Sequence, residues 1–153
     1  MGAAIELDAS ELKKLAQKMN GFMLSGGDTS ELLGSLATEA QAQTEERIEH
    51  TKLNPDGKKW DPWKASTLRY LQKHDLLKTT TLLNRGSAGG LLNSMTSQAQ
   101  GSDTVIVGSP TQYAGYLQEG TRKMVARKFL GIGTTDIAAL QDIVIRFMAR
   151  HVA

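Results

Sequence analysis

The sequence predicts an α+β protein with N-terminal helices, a small antiparallel sheet that includes a hairpin, and a C-terminal helix. Three observations carry this. Apolar residues recur at helical spacing through the N-terminal third and again near the C-terminus. Between them, from Met95 to Val107, the period drops to two and β-branched residues gather. Clusters of Gly, Pro, Asn and Asp separate the two regimes. The chain's 153 residues, 40% of them hydrophobic, suffice for one modest core, so a single domain is expected over residues 1–153, with residues 1–52 as a helical N-terminal part.

Asp8 with Glu11 three residues later has the layout of a capping box, and Leu12, Leu15, Met19 and Phe22 or Met23 follow at helical spacing. A first helix is expected over residues 9–24, stopped by Gly26 and Gly27. Asp28 and Glu31 repeat the capping signal, and Leu33, Leu36, Ala37, Ala40 and Ile48 mark a second, long helix reaching about Thr51. Its end, TEERIEH, sets Glu45 a turn from Glu49 and Glu46 a turn from His50. No second ligand cluster accompanies them, so solvated helix charge is expected there rather than a metal site.

NPDGKKWDPW, residues 54–63, is turn chemistry, because Pro55 fixes φ and Gly57 accepts a positive φ. Trp60 and Trp63, flanked by Lys58, Lys59 and Lys64, suit a cover over one end of the core, the commoner use. They would also suit a stacking platform for single-stranded nucleic acid. Leu68 and Leu71 are helically spaced, but a polar run from Gln72 to Asp75 separates them from Leu76 and Leu77, and Thr79 to Thr81 lower helix propensity. RGSAGG, residues 85–90, lacks the Gly-Lys-Ser/Thr of a phosphate-binding loop and is expected to be a flexible connection.

Met95, Ser97 and Ala99 alternate with Thr96 and Gln98, QGSD turns the chain, and TVIV (residues 104–107) is strongly β-forming. Such a hairpin needs further strands or a helix against it to be stable. Ser109, Pro110, Gln112 and Gly120 mark the cap, first position, N3 and end of a short helix, PTQYAGYLQE, with Tyr113, Tyr116 and Leu117 on one face. Gly115 weakens that helix by about 1 kcal/mol relative to Ala, which favours close packing against it. GIGTTD then leads into a last helix capped by Thr134 or Thr135, with Ile137, Leu140, Val144, Phe147 and Met148 as its buried stripe.

Charge is distributed unevenly. Residues 1–50 hold four bases against nine acids, and residues 51–153 hold fourteen against seven. The split either steers docking onto an oppositely charged neighbour or cancels where the halves intermingle. Cysteine is absent, which excludes disulfides, thiol catalysis and thiolate metal sites. His50, His74 and His151 are scattered without a nucleophile or metal partner nearby in sequence, so no catalytic residues, metal or cofactor are expected. No run is long and apolar enough for a membrane span and the N-terminus lacks a signal-peptide layout; no membrane partner and assembly in a cytoplasm-like compartment are expected.

The stretch YAGYLQEGTRKMVARKFLG combines two tyrosines and four cations with no histidine or cysteine. Those residue types suit gripping another macromolecule. Arg122, Lys123, Arg127 and Lys128 are expected to face outwards, since an unpaired buried cation is costly, while Phe129 and Leu130 anchor the segment to a core or partner.

DGKKWDPW, GGLLNSMTS, VIVGSPTQYAGYLQEG and VARKFLGI resemble, in that order, segments of the phage virion morphogenesis proteins, the tail-completion family of Mu-like and P2-like phages. The resemblance covers residues 54 to the end, and the N-terminal helices fit it loosely. It implies a small, non-catalytic α+β protein of the neck that completes the tail and joins head to tail as a ring, a hexamer by the tail's symmetry. It implies partners in the ring itself and in other neck and tail proteins, with DNA passing through the lumen, and a place in the virion after assembly in the host cytoplasm. On that basis Tyr113, Tyr116, Gln118, Arg122, Lys123, Arg127 and Lys128 are expected at a protein interface. Trp60, Trp63, Gly89, Ser94, Gly120, Phe129 and Leu130 are expected to support the fold. The alternative is a nucleic-acid-binding module that uses the basic C-terminal half.

Overall fold

The computed structural model describes residues 3–8, 21–22, 26–77 and 90–151. The expected helix over residues 9–24 lies outside them except at Gly21 and Phe22, which are helical. The RGSAGG connection, including Gly89, lies outside them except at Gly90.

The first element is a strand, β1 (Ala3–Asp8), so the N-terminal part is not wholly helical as the sequence reading expects. Ile5 and Leu7 alternate with Glu6 and Asp8, a two-residue period too short to stand out alone, and pairing to a distant strand fixes it. Helix α1 (Ser30–Glu46) continues into a π-helical turn (Arg47–Thr51), ended by Lys52 in the left-handed conformation with φ 57°. Helix α2 (Ala65–Lys73) and the single turn α3 (Leu91–Ser94) precede the hairpin of β2 (Thr96–Gln100) and β3 (Thr104–Ser109). Helix α4 (Tyr113–Glu119) and the long α5 (Thr134–His151) complete the described chain.

The sheet has the order β1-β3-β2 and is antiparallel throughout. The hairpin therefore gains both supports it needs, since β1 pairs along β3 and α1 lies across β2 and β3. Ile5 sits opposite Val107 and Leu7 opposite Val105, and Val105 and Val107 are fully buried. On the other side of the core, α1 packs against α5. Leu32, Leu33, Leu36, Ala37 and Ala40 of α1 meet Leu140, Val144, Phe147 and Met148 of α5 in one buried cluster, which Trp60, Phe129 and Leu130 also enter.

Two helix starts differ from the sequence reading. At α1 the cap position is Thr29, whose Oγ1 donates to the Ser102 carbonyl at 2.8 Å and ties the helix to the hairpin turn. Asp28 accepts from the Ser30 hydroxyl and amide, and these two bonds hold its carboxyl below the ordinary range. Glu31 instead pairs with Arg150 and His151 at the far end of α5. At α5 the carboxylate of Asp136 accepts from the Gly133 amide at 2.8 Å, and the Gly133 carbonyl accepts from the Ile137 amide at 3.1 Å. Gly133, rather than Thr134 or Thr135, thus stands at the cap. In that first turn Asp136 faces α1, so Ile137 is turned out, 36% exposed, and the buried stripe begins at Leu140.

One ion pair crosses the core. Arg47, buried in the π turn, donates from Nη2 to Asp136 Oδ2 at 2.7 Å and from Nη1 to the Phe129 carbonyl at 2.6 Å. Burial pulls the arginine below its ordinary value and Asp136 opposes that shift. Replacing Arg47 with Leu strands both acceptors and is expected to cost about 3 kcal/mol, whereas Arg146→Ala at the exposed pair with Asp142 should cost about 0.5 kcal/mol or less. Urea denaturation of the two variants checks this, and equal losses would contradict it.

Candidate functional site

The chemistry of a binding surface must rest on backbone that holds its place, and the segment after α4 is held unusually well for one without regular structure. Gly120 ends α4 at φ 79°. A Cβ there would lie 2.8 Å from the Ala126 amide nitrogen and 2.9 Å from the Met124 carbonyl, so the chain folds back directly over this position. Thr121 and Met124 close a tight turn through reciprocal backbone bonds of 2.8 and 3.3 Å, which puts the exposed Arg122 and Lys123 at its tip.

Residues 127–130 then enter the core as irregular chain, with Arg127, Phe129 and Leu130 buried and Lys128 exposed. Their backbone is satisfied by other means. The Arg127 amide donates to the Leu117 carbonyl at 2.9 Å, and the Trp60 indole donates to the Lys128 carbonyl at 2.9 Å. Gln118 Oε1 accepts from the amides of Phe129 and Leu130, both at 3.0 Å, while its Nε2 donates to the Leu130 carbonyl at 3.1 Å. Arg47 holds the Phe129 carbonyl. Phe129 and Leu130 are buried, so they anchor the segment to this chain's own core.

Two residues expected at an interface are therefore turned to the chain's own backbone, Arg127 buried and Gln118 half-buried. Gln118 is a clamp on the backbone of residues 129–130. Arg127 is only 8% exposed, donating from Nε to the Asp61 carbonyl at 2.8 Å and from Nη2 to the Pro62 carbonyl at 3.0 Å. The expectation that it faces outwards takes carboxylates as the needed partners, yet two main-chain carbonyls serve a guanidinium as well. Its burial lowers the affinity for its proton, and nearby Asp61 opposes that.

The other expected positions divide cleanly. Trp60 is buried and covers the core as the commoner reading holds, and Trp63 is half-buried. Ser94 Oγ donates to the Leu91 carbonyl at 2.6 Å and shares a 2.7 Å bond with Ser109 Oγ, which joins the turn before β2 to the end of β3. Ser109 also accepts from the Thr111 amide at 3.2 Å, two residues on; hydrogen-bonded helix begins at Tyr113, with no side-chain cap from Gln112. Tyr113 and Tyr116 are 41% and 52% exposed, while Ala114 and Leu117 face inwards. Arg122, Lys123 and Lys128 are exposed.

In the sequence, the lysines around Trp60 and the cations after Gly120 are separate features. The structure joins them. Trp60 to Lys128, Arg127 to Asp61 and Pro62, and Lys64 Nζ to the Lys123 carbonyl at 3.0 Å tie the turn at residues 54–64 to the segment at 121–128. Lys64, Arg122, Lys123 and Lys128 are thereby carried on joined segments, with Lys58 and Lys59 in the same 54–64 turn, and all six are exposed. Among the described residues no ion pair engages any of the six, and no group of three His, Cys, Asp or Glu is placed to hold a metal ion. No helix among them is long and apolar enough to cross a membrane.

Fold and surface together define a small α+β protein in which several long polar side chains support buried backbone and the joined turns present exposed cations. Comparison with known families carries this further: residues 10–149 match the phage virion morphogenesis family, and the chain belongs to it. It is also similar to the Mu-like prophage FluMu G protein 1 of Haemophilus influenzae, 29% identical over 136 residues that span 89% of this chain and 85% of the relative. No solved structure matches the chain. Membership makes this a structural protein of phage virion assembly.

The clamp gives a sharp expectation. Gln118→Ala leaves three backbone groups of residues 129–130 without their partner and should lower stability by about 2 kcal/mol, while Tyr116→Ala at an exposed site should stay within about 0.5 kcal/mol of wild type. Thermal and chemical melts of both variants measure this, and an early-melting Tyr116→Ala protein would make that tyrosine part of the core.

Proposed function

We propose that the chain is a non-catalytic protein of the phage neck that completes the tail and joins head to tail as a ring. The observation that carries this reading is the match to the virion morphogenesis family along residues 10–149. The geometry agrees with it: Arg47, Gln118, Trp60 and Arg127, side chains rich in hydrogen-bonding chemistry, all serve the chain's own backbone. The outside of these segments carries exposed cations and the exposed rings of Tyr113 and Tyr116, which are interface chemistry, beside the carboxylates of Asp56, Asp61 and Glu119. Subunits that meet through two different patches must close into a ring or grow into a filament, and a hexamer would match a tail of six-fold symmetry. Its partners are then further copies of itself and the neck and tail proteins above and below, with DNA passing through the lumen.

A nucleic-acid-binding module is the second reading, favoured by the six exposed cations carried on the joined turns. It is weakened by Trp60, whose ring is buried and whose indole nitrogen is committed to the Lys128 carbonyl, so it offers no face for a base to stack on. Particles assembled without this protein should show free filled heads beside free tails in the electron microscope. A virion map that puts the chain anywhere other than the neck would overturn the assignment, and tight binding of short duplexes that falls steeply with salt would favour the second reading instead.

A further inference from the structure

The turns that carry the six exposed cations are joined by four side chain to backbone bonds, yet among the described residues no ion pair engages any of the six. Held cations of one sign on a stiff support are complementary to a surface of fixed negative charge. Such a surface exists on this same chain. Helix α1 carries Glu31, Glu39, Glu45 and Glu46 and no Lys or Arg in 17 residues, and Glu49 follows in the π turn.

The side of α1 away from the core is built to be approached. Its residues between the acids are Gly34, Ser35, Thr38 and Ala42, all exposed and all small, and a Cβ added at Gly34 would meet nothing within 4 Å. Glu31 is engaged by Arg150 and His151 of the same chain. Glu39 and Glu46 stand seven residues and two turns apart on one stripe. Among the described residues they accept from Gln43 and His50, each on the same helical segment, and no Lys or Arg of this chain pairs with them, which leaves them open to a cation of an outside partner.

We infer that the basic surface of one copy, bordered by Lys64, Arg122, Lys123 and Lys128, docks on the acidic outer stripe of α1 in a second copy. The contact joins two different patches, so it repeats head to tail and has a direction, as a closed ring requires. Opposite charge also steers copies into that orientation, because the two like-charged pairings repel. The inference rests on the ring reading above in one respect, that copies of this chain meet; the surfaces themselves come from the charge pattern.

The absence of cysteine from the sequence makes the test direct. Ala42→Cys marks the exposed face of α1 and Val125→Cys marks the loop beside Lys123, and neither change touches a charge. Two full-length, singly marked proteins, mixed at low salt and treated with a short bismaleimide, are expected to give the crosslink between positions 42 and 125 in excess over either like pair, with the yield falling as salt rises. Reversing Glu39 and Glu46 to Lys in the first protein, or Arg122 and Lys123 to Glu in the second, should each lower that yield by about tenfold or more, while the two reversed proteins together recover it. Melting curves of the reversed proteins show that all are folded. The proposal is overturned if the mixed pair never exceeds the like pairs in either purified protein or assembled particles, or if combining the reversals fails to restore it. Crosslinking that ignores the reversals, with duplex DNA binding that Arg122→Glu and Lys123→Glu abolish, would overturn it too and give the basic surface to nucleic acid. Free heads and tails without the protein, together with a failed rescue, would leave the neck role standing and remove only this contact.

Discussion

Everything around the basic surface depends on one constraint: a stretch of irregular backbone, residues 127–130, carries three buried residues, Arg127, Phe129 and Leu130, and its amides and carbonyls must find partners. A buried main-chain group without a partner costs about 1–3 kcal/mol, and four consecutive residues could forfeit the stability of a small protein. The segment joins no strand ladder, so side chains do most of the work. Arg47 from the π turn, Gln118 from α4 and Trp60 from the 54–63 turn converge on it from three parts of the chain. Those same bonds bring distant segments into register, which is how Lys64 and Lys123 come to share one surface.

Arg47 shows how such a constraint propagates. Its guanidinium joins the Phe129 carbonyl to Asp136, and Asp136 in turn holds the Gly133 amide at the start of α5. One buried ion pair thus sets where the loop ends and where the last helix begins. The π turn serves this locally, because Arg47 and Ile48 at its start both point inward and are buried. Glu31 with Arg150 and His151 ties the other end of α1 to the other end of α5. The first third is therefore bound onto the remainder at two places, of which only the Glu31 contact, at the surface, offsets the charge asymmetry counted in the sequence, since Arg47 is a base of the first third and Asp136 an acid of the remainder. What survives is local: an acidic outer stripe on α1 and a basic border on the joined turns.

Much of the scaffold is legible in the residues. The stripe Leu33, Leu36, Ala37, Ala40 and Ile48 is buried as its spacing requires, the turn around Gly57 reverses the chain, with φ 90° there, and the hairpin forms about residues 101–103. Strand β1 is not legible, since six residues with a two-residue period look like a helix preamble until β3 is present to pair with them. The site is legible only in part. Phe129 and Leu130 as anchors and Trp60 as a cover follow from size and hydrophobicity, whereas half-buried Gln118 and buried Arg127 serve this chain's own backbone although their polarity points to the surface. A signal for Gln118 does exist: it stands one residue after Leu117, which with Ala114 forms the inward side of α4, and a long amide on that border can reach buried backbone.

By itself the sequence determined the α+β class, the positions of the long helices and the hairpin, and the excess of cations after residue 50, because these follow from local spacing, turn chemistry and simple counting. Tertiary structure alone decided which cations are surface and which are struts. Arg122 and Arg127 are five residues apart in the same loop, yet one stands at the tip of a turn and the other is closed over by the carbonyls of Asp61 and Pro62. A guanidinium is recognised by the oxygens around it, and those oxygens belong to a peptide segment more than sixty residues away, which no local pattern can bring near.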